Sequence, residues 1–293
     1  MSINILVIGS GGLLGGTLLR RAPFYPDVSL HPVFYSGIPE PFAASGHQAD
    51  IRDTDSLHRL FGLVRPDCVV NLTCLPVGDC ERDLERAQAV QVEGARVLAR
   101  ACGGSIRLIH FSTDMVYSGN KGAPYTLEDV PDPISVYGRT KLEGEAAVRE
   151  HASDAVIIRS ALILGLPAYK PGGFLEWMVT RAKNGRSLPL FTDQWRTPIA
   201  ADDLADAVIR LAASPVQGVL LAGGDRGVNR VTLGEWTVDA LKLPRTLLQP
   251  LVMAEAKSEV PLQADLRFDN SAFKAAAGIR LTDIETYIRR TLA

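Results

Sequence analysis

The chain has 293 residues, 46% of them hydrophobic, with 31 Lys and Arg against 33 Asp and Glu and a formal net charge of -2. That length can bury a sizeable core, in one large domain or two closely joined ones. Charge this evenly balanced, with no basic stripe or acidic tail, argues against nucleic acid or an anionic membrane as partner. The four cysteines, Cys68, Cys74, Cys80 and Cys102, have neither zinc-finger spacing nor a histidine in register, so neither a metal site nor a disulfide is expected. Cys68 and Cys102 sit in apolar runs and read as small buried hydrophobes. The apolar run at residues 1–8 is too short to span a bilayer and lacks a cleavage signal, so the cytoplasm is the expected compartment.

Residues 3–8 read as a buried strand, a continuous run of Ile, Leu and Val after a single polar residue, ending at glycines. A helix is predicted over 13–20, a strand over 30–35, and a helix over 54–63 with Asp53 as its cap. A strand over 68–72 precedes a long helix over 81–101, whose apolar residues recur at helical spacing. A strand over 107–111, a helix over 136–149 and a strand over 156–158 follow. This alternation predicts an α/β fold, a doubly wound parallel sheet of Rossmann type with right-handed crossovers. Residues 1–160 are expected to form the dinucleotide-binding domain, with 190–215 returning to it. Residues 161–293 are expected to form mainly a smaller α/β substrate-binding region. There, Gly and Pro cluster over 165–173, and 202–212 reads as a helix.

The first predicted strand ends in Gly9-Ser10-Gly11-Gly12-Leu13-Leu14-Gly15. Glycines three apart let the chain turn sharply, let the backbone approach a pyrophosphate, and let the helix pack on the sheet. The pyrophosphate then meets the free N–H groups of the helix start, with Gly9, Gly12, Leu13, Leu14 and Gly15 around it. The second strand ends in Tyr35-Ser36-Gly37, with no acid to repel a 2′-phosphate and no arginine to clamp one. Ser36 can donate to a phosphate, which favours NADP and leaves NAD as the alternative.

Tyr137 and Lys141 lie four apart on a predicted helix and share one face. A cation beside a phenol lowers its pKa and fits it to pass a proton to a carbonyl oxygen. Ser112 and Thr113 follow a strand, at the carboxyl end where ligands bind in open α/β sheets.

Taken together, these motifs resemble the extended or atypical short-chain dehydrogenases/reductases. Among these the chain is most similar to the dTDP-4-dehydrorhamnose reductases and their sugar-nucleotide-binding relatives. The resemblance rests on Gly9 to Gly15, Asp50-Ile51-Arg52-Asp53, Asn71-Leu72-Thr73, Ser112-Thr113-Asp114, Tyr137 to Glu145 (YGRTKLEGE) and Asp193 to Pro198 (DQWRTP). It implies Thr113, Tyr137 and Lys141 as the catalytic trio, with Lys141 also on the nicotinamide ribose. It further implies Asp50 and Ile51 beside the adenine, and Leu72, Thr73 and Cys74 along the cofactor, Cys74 being a wall residue rather than a nucleophile. Four departures fall on or near the sugar side. Met115 and Leu162 stand where a Tyr and a Trp are common, Gln91 replaces an Asn, and the loop over 71–81 is one residue short.

The resemblance implies an NAD(P)-dependent oxidoreductase that reduces a keto-sugar, nucleotide-linked, with Tyr137 as proton donor. The alternatives are a sugar-nucleotide epimerase on the same scaffold and a non-catalytic NADP-binding subunit resembling the regulatory subunit of methionine adenosyltransferase. The substrate is expected between the two regions, against Asp114, Leu162, Trp195 and Arg196, with residues 165–173 as a mobile cover. Arg196 is the expected diphosphate ligand, because its planar fork suits phosphate. A homodimer stays open as the assembled form.

Overall fold

A computed structural model describes residues 2–293. In chain order, the first part holds β1 (Ile3–Ile8), α1 (Leu13–Arg21), β2 (Val28–Phe34), β3 (His47–Gln48), α2 (Thr54–Val64), β4 (Cys68–Asn71), α3 (Val77–Arg82), α4 (Leu84–Gln88), α5 (Gly94–Cys102), β5 (Arg107–Thr113), α6 (Val136–His151) and β6 (Ala155–Ser160). There follow β7 (Ile163–Leu164), α7 (Phe174–Lys183), β8 (Leu188–Phe191), β9 (Trp195–Arg196), β10 (Ile199–Ala200), α8 (Ala201–Ala212) and β11 (Gly218–Ala222). The chain ends with β12 (Val228–Asn229), α9 (Arg230–Ala240), β13 (Leu248–Leu251), β14 (Asp265–Leu266), α10 (Ser271–Ala277) and α11 (Ile284–Leu292).

Seven strands form one parallel sheet in the order β11-β6-β5-β4-β1-β2-β3. Both faces are covered, which is why β1, β4 and β5 each turn apolar side chains to both sides of the sheet. One face packs Ile5, Val7, Val70, Ile109 and Ile158 against Leu14 and Leu18 of α1 and Leu204 and Val208 of α8. The other packs Leu6, Ile8, Val69, Leu108 and Ile157 against Leu57 of α2, Leu98 of α5 and Val148 of α6. Strand order reverses between β1 and β4, so a crevice opens at their carboxyl ends, the usual ligand position in such sheets. A separate core holds α7, β8, α9 and α11 together through Leu175, Leu190, Leu233 and Ile288.

The expected helix over 81–101 is broken. Asp83 leaves helical geometry, with φ -140 and ψ 82, and its carboxylate caps α4 by accepting from the Arg86 N–H at 2.9 Å. A π-helical turn over Ala89–Glu93 then leads into α5. The irregular turn lets the chain approach α6 closely. Gln91 donates to the Thr140 hydroxyl at 2.6 Å, and a Cβ on Gly144 would lie 2.5 Å from the Gln91 carbonyl oxygen. Later, the chain returns to the large sheet twice over, through α8 on the α1 side and through β11 at the β6 edge.

That close approach can be tested with one methyl group. Gly144→Ala forces α6 away from backbone that cannot yield, and is expected to destabilise the fold by about 1–3 kcal/mol. Urea denaturation would read this as a lower midpoint at unchanged slope, and an unshifted midpoint would show that the helices separate without cost.

Candidate active site

The crevice at the β1/β4 reversal opens into a cavity of about 440 Å³. Its floor is the glycine turn. Gly9 has φ +91, and a Cβ there would meet the Leu72 backbone at 3.1 Å, so only glycine fits. The turn is braced to β2, since Gly9 and Ser10 both donate N–H bonds to the Val33 carbonyl at 3.1 Å. A Cβ on Gly15 would lie 2.6 Å from Ser10 Cα, so this glycine serves the packing of α1 onto the turn. Gly12 differs: a Cβ there meets nothing closer than the Gly9 oxygen at 3.6 Å. It is α1's N-cap, has no side chain to cap the helix, and lines the cavity with Leu13 and Leu14. The open helix start and the bare backbone before it fit a dinucleotide pyrophosphate.

The opposite wall comes from α6. Ser135 caps this helix by accepting from the Gly138 N–H at 3.0 Å, and Glu81 accepts from the Val136 and Tyr137 N–H groups at 2.8 and 3.3 Å. Tyr137, Lys141 and Glu145 follow at four-residue spacing on one face. Glu145 is fully buried. It accepts from Ser112 Oγ at 2.5 Å and takes the Arg159 fork at 2.9 and 2.8 Å. Arg159 also donates to the Tyr117 hydroxyl at 2.8 Å. The helix is thereby fixed against β5 and β6, and Thr113 stands beside Tyr137.

Burial pushes the Tyr137 phenol well above its ordinary pKa; Cys74 and Asp114 push the same way, and the Thr113 hydroxyl opposes them. Burial pulls the Lys141 ammonium down. The expectation of a phenol lowered by Lys141 is therefore corrected. Lys141 donates instead to the carbonyls of Phe111 at 2.7 Å and Thr73 at 3.3 Å. The Tyr137 phenol is held in its neutral form.

Gly9, Gly12, Leu13, Leu14, Gly15, Leu72, Cys74, Thr113, Asp114, Tyr137, Lys141, Leu162 and Arg196 all line the one cavity, and Thr73 touches it through its carbonyl bond to Lys141. Ser36 is exposed beyond the end of β2 and is not among the lining residues. The Ile51 side chain packs against Gly94 of α5, and Asp50 holds Arg52 in a two-point pair. Trp195 is also outside the lining, with the Arg267 guanidinium 5.5 Å from its ring centre.

Arg196 reaches the cavity, but its fork is already engaged. It donates to the Trp195 and Gln263 carbonyls at 2.7 and 3.2 Å and lies 3.5 Å from an Asp114 oxygen. The free donor belongs to Arg230, at the start of α9. Arg230 donates Nε to Gln194 at 2.9 Å, packs over the Phe174 ring, and leaves a buried Nη1 without a partner. Burial and the neighbouring Arg196 bring its pKa down to about 9. Nothing local in the sequence marks this residue, because its place depends on where α9 begins in the fold. Segment 165–173 also departs from expectation. Ala168 and Tyr169 lie on Gly16, and Gly165 and Gly173 flank Leu13, so it crosses the start of α1 instead of covering the substrate side.

Fold and site together define a short-chain dehydrogenase/reductase of the extended kind, as the motifs in the sequence indicated. The chain belongs to the family described as the RmlD substrate binding domain, which matches residues 3–293. It is 33% identical over 253 residues to a probable low-salt glycan biosynthesis reductase of Haloferax volcanii, covering 85% of this chain and 84% of that one. It is 32% identical over 234 residues to dTDP-4-dehydrorhamnose reductase of Shigella flexneri, covering 76% and 73%. The crystal structure of a dTDP-4-dehydrorhamnose reductase from Bacillus anthracis in complex with NADP matches with a TM-score of 0.86 over 99% of both chains, at 19% identity. UDP-glucose 4-epimerase of Thermotoga maritima matches with a TM-score of 0.84 over 99% of this chain and 97% of that one, at 22% identity. The fold is thus common to reductases and epimerases.

Two substitutions separate the roles of the glycines. Gly12→Val is expected to abolish dinucleotide binding in a fluorescence titration while the melting temperature holds. Gly15→Ala is expected to lower the melting temperature itself. A Gly12 variant with unchanged affinity would remove the turn from the binding site. Removing the buried carboxylate by Glu145→Ala strands Arg159 and is expected to cost about 3–5 kcal/mol in chemical denaturation. A loss below about 1 kcal/mol, the level of an exposed pair, would contradict that network.

Proposed function

We propose that the chain is an NADP(H)-dependent reductase of a keto-sugar carried on a nucleotide, the reaction class for which its dTDP-4-dehydrorhamnose reductase relatives are named. The observation that carries this reading is the single cavity that joins the phosphate-binding turn to a protonated Tyr137. When bound, the reduced dinucleotide supplies a hydride to the substrate's carbonyl carbon. Tyr137 gives its phenolic proton to the carbonyl oxygen, so a ketone becomes a secondary alcohol and the phenolate is reprotonated from solvent. Thr113 holds the same oxygen from the strand side. Lys141 has three donors, two of them engaged by the Phe111 and Thr73 carbonyls, and the third would be free for a ribose hydroxyl of a bound dinucleotide.

Relatives that this chain matches over more than two thirds of their length are named as reductases, which favours reduction over epimerisation. On the substrate side, Arg196 and Arg230 stand by Asp114, while Asp265, which also reaches Arg196, is paired with Arg267, and the surplus positive charge suits the diphosphate of a nucleotide sugar. Arg230, with its unpartnered Nη1, takes the role first expected of Arg196. The cytoplasm, where thiols stay reduced, suits the four free cysteines.

Purified protein supplied with NADPH and a dTDP-linked 4-keto-6-deoxy sugar should oxidise the cofactor, followed by loss of nicotinamide absorbance. Tyr137→Phe should lower turnover on the order of 10²–10⁴-fold while NADPH still binds. Binding of NADPH without consumption, across a set of nucleotide keto-sugars, would reject the reductase reading and leave a non-catalytic dinucleotide-binding protein.

A further inference from the structure

Residues 35–40, just past the end of β2, supply no cation to meet a 2′-phosphate. A cation arrives there from the second half of the chain. Segment 166–173, between β7 and α7, lies across the start of α1. It is clasped by Tyr169, whose ring carbons lie 3.2 Å from the position of a Cβ on Gly16 and which meets Phe42 edge-on at 5.3 Å between ring centres. Phe42 in turn packs on Phe34, the last residue of β2. The clasp delivers Lys170 to the glycine turn. Its Cε and Cδ lie 3.6 and 3.8 Å from the position of a Cβ on Gly11, and Phe34 Cδ1 lies 3.7 Å from the same point. The Lys170 side chain thus occupies the junction of the turn and the end of β2. In a Rossmann fold the adenosine ribose of a dinucleotide lies beside this junction.

Lys170 is exposed, and among the described residues no carboxylate pairs with it. The other cation near the end of β2 is Arg52, which lies beside Tyr35. Its charge is already matched by Asp50, through bonds of 3.0 Å to one oxygen and 2.6 Å to the other. We propose that Lys170 is the 2′-phosphate ligand and sets the preference for NADPH over NADH. The proposal rests on the dinucleotide reading of the site given above. A phosphate monoester carries nearly two negative charges, and a lysine on a clasped segment meets it as a point charge. Cofactor choice would then be set by a segment about 130 residues downstream of the strand that usually carries it.

The test is a binding titration, read by energy transfer from protein to reduced nicotinamide, with NADPH and NADH on the intact protein. Lys170→Ala should weaken NADPH by about fivefold, the upper range for an exposed ion pair, and leave NADH unchanged. Lys170→Arg should keep the preference, and Lys170→Glu should reverse it. Added salt should narrow the gap between the cofactors in the unmodified protein but not in Lys170→Ala. An unchanged ratio in Lys170→Ala, or equal weakening of both cofactors, would overturn the proposal. Loss of the preference in Arg52→Ala but not in Lys170→Ala would overturn it in favour of Arg52. Failure of the unmodified protein to bind either cofactor would instead strike down the dinucleotide reading beneath it.

Discussion

The site depends on where one buried carboxylate sits. Glu145 is 0% exposed and bonds a hydroxyl from β5 and the guanidinium of Arg159 from β6. Taking two charges out of water is expensive, and an apolar pair of similar volume often holds a fold as well. What the pair adds is register. If α6 slid by one turn along β5, both charges and the Ser112 hydroxyl would be left unmatched in the interior. Tyr137 and Lys141 sit two turns and one turn before Glu145 on the same face, so their distance from Thr113 is set by that match. Ser135 and Glu81 secure the other end of the helix, and Gly144 lets it press against the π-helical turn.

The cavity wall then divides by charge. Towards the glycine turn it offers backbone N–H groups and one lysine whose ammonium is steered by two carbonyls. Towards α9 it offers two guanidiniums and a single carboxylate. Between them stands a phenol that burial keeps neutral. Because Lys141 is held by carbonyls of β5 and of the loop after β4, its position does not depend on the protonation of Tyr137. The two residues can act on different atoms of a bound complex without competing for one proton.

Much of the large parallel sheet was legible in the sequence because its signals are local. Three glycines in one turn announce a phosphate site, and strands covered on both faces announce themselves as apolar runs. Tyr137 and Lys141 were visible by spacing alone. The break at Asp83 was hidden, because the apolar period runs straight through it and only the cap and the pressure of α6 reveal it. Two-residue strands such as β3, β12 and β14 carry no period at all. Arg196 looked like a phosphate fork in isolation, yet backbone carbonyls brought near by the fold occupy it. Arg230 and Lys170 gave no signal, since each reaches its position beside the cavity or the glycine turn through long-range packing. Tyr137's pKa was misjudged for the same reason: spacing shows a neighbouring cation but not the loss of water.

The edge strand β11 has a consequence for the life of the chain. It pairs with β6 across more than fifty intervening residues, and α8, just before it, covers the α1 face of the sheet. A ribosome that has released only the first 160 residues has made the glycine turn and the Tyr137/Lys141 helix but neither Lys170 nor the roof of α8. The face that will meet α8 and the open edge of β6 stay exposed until the later segment emerges. Such long-range parallel pairing is slow to form, and exposed sheet edges invite association with other chains. The nascent protein therefore passes through a stage at which it needs shielding, and a fragment ending near residue 160 would make a poor stand-alone cofactor-binding module.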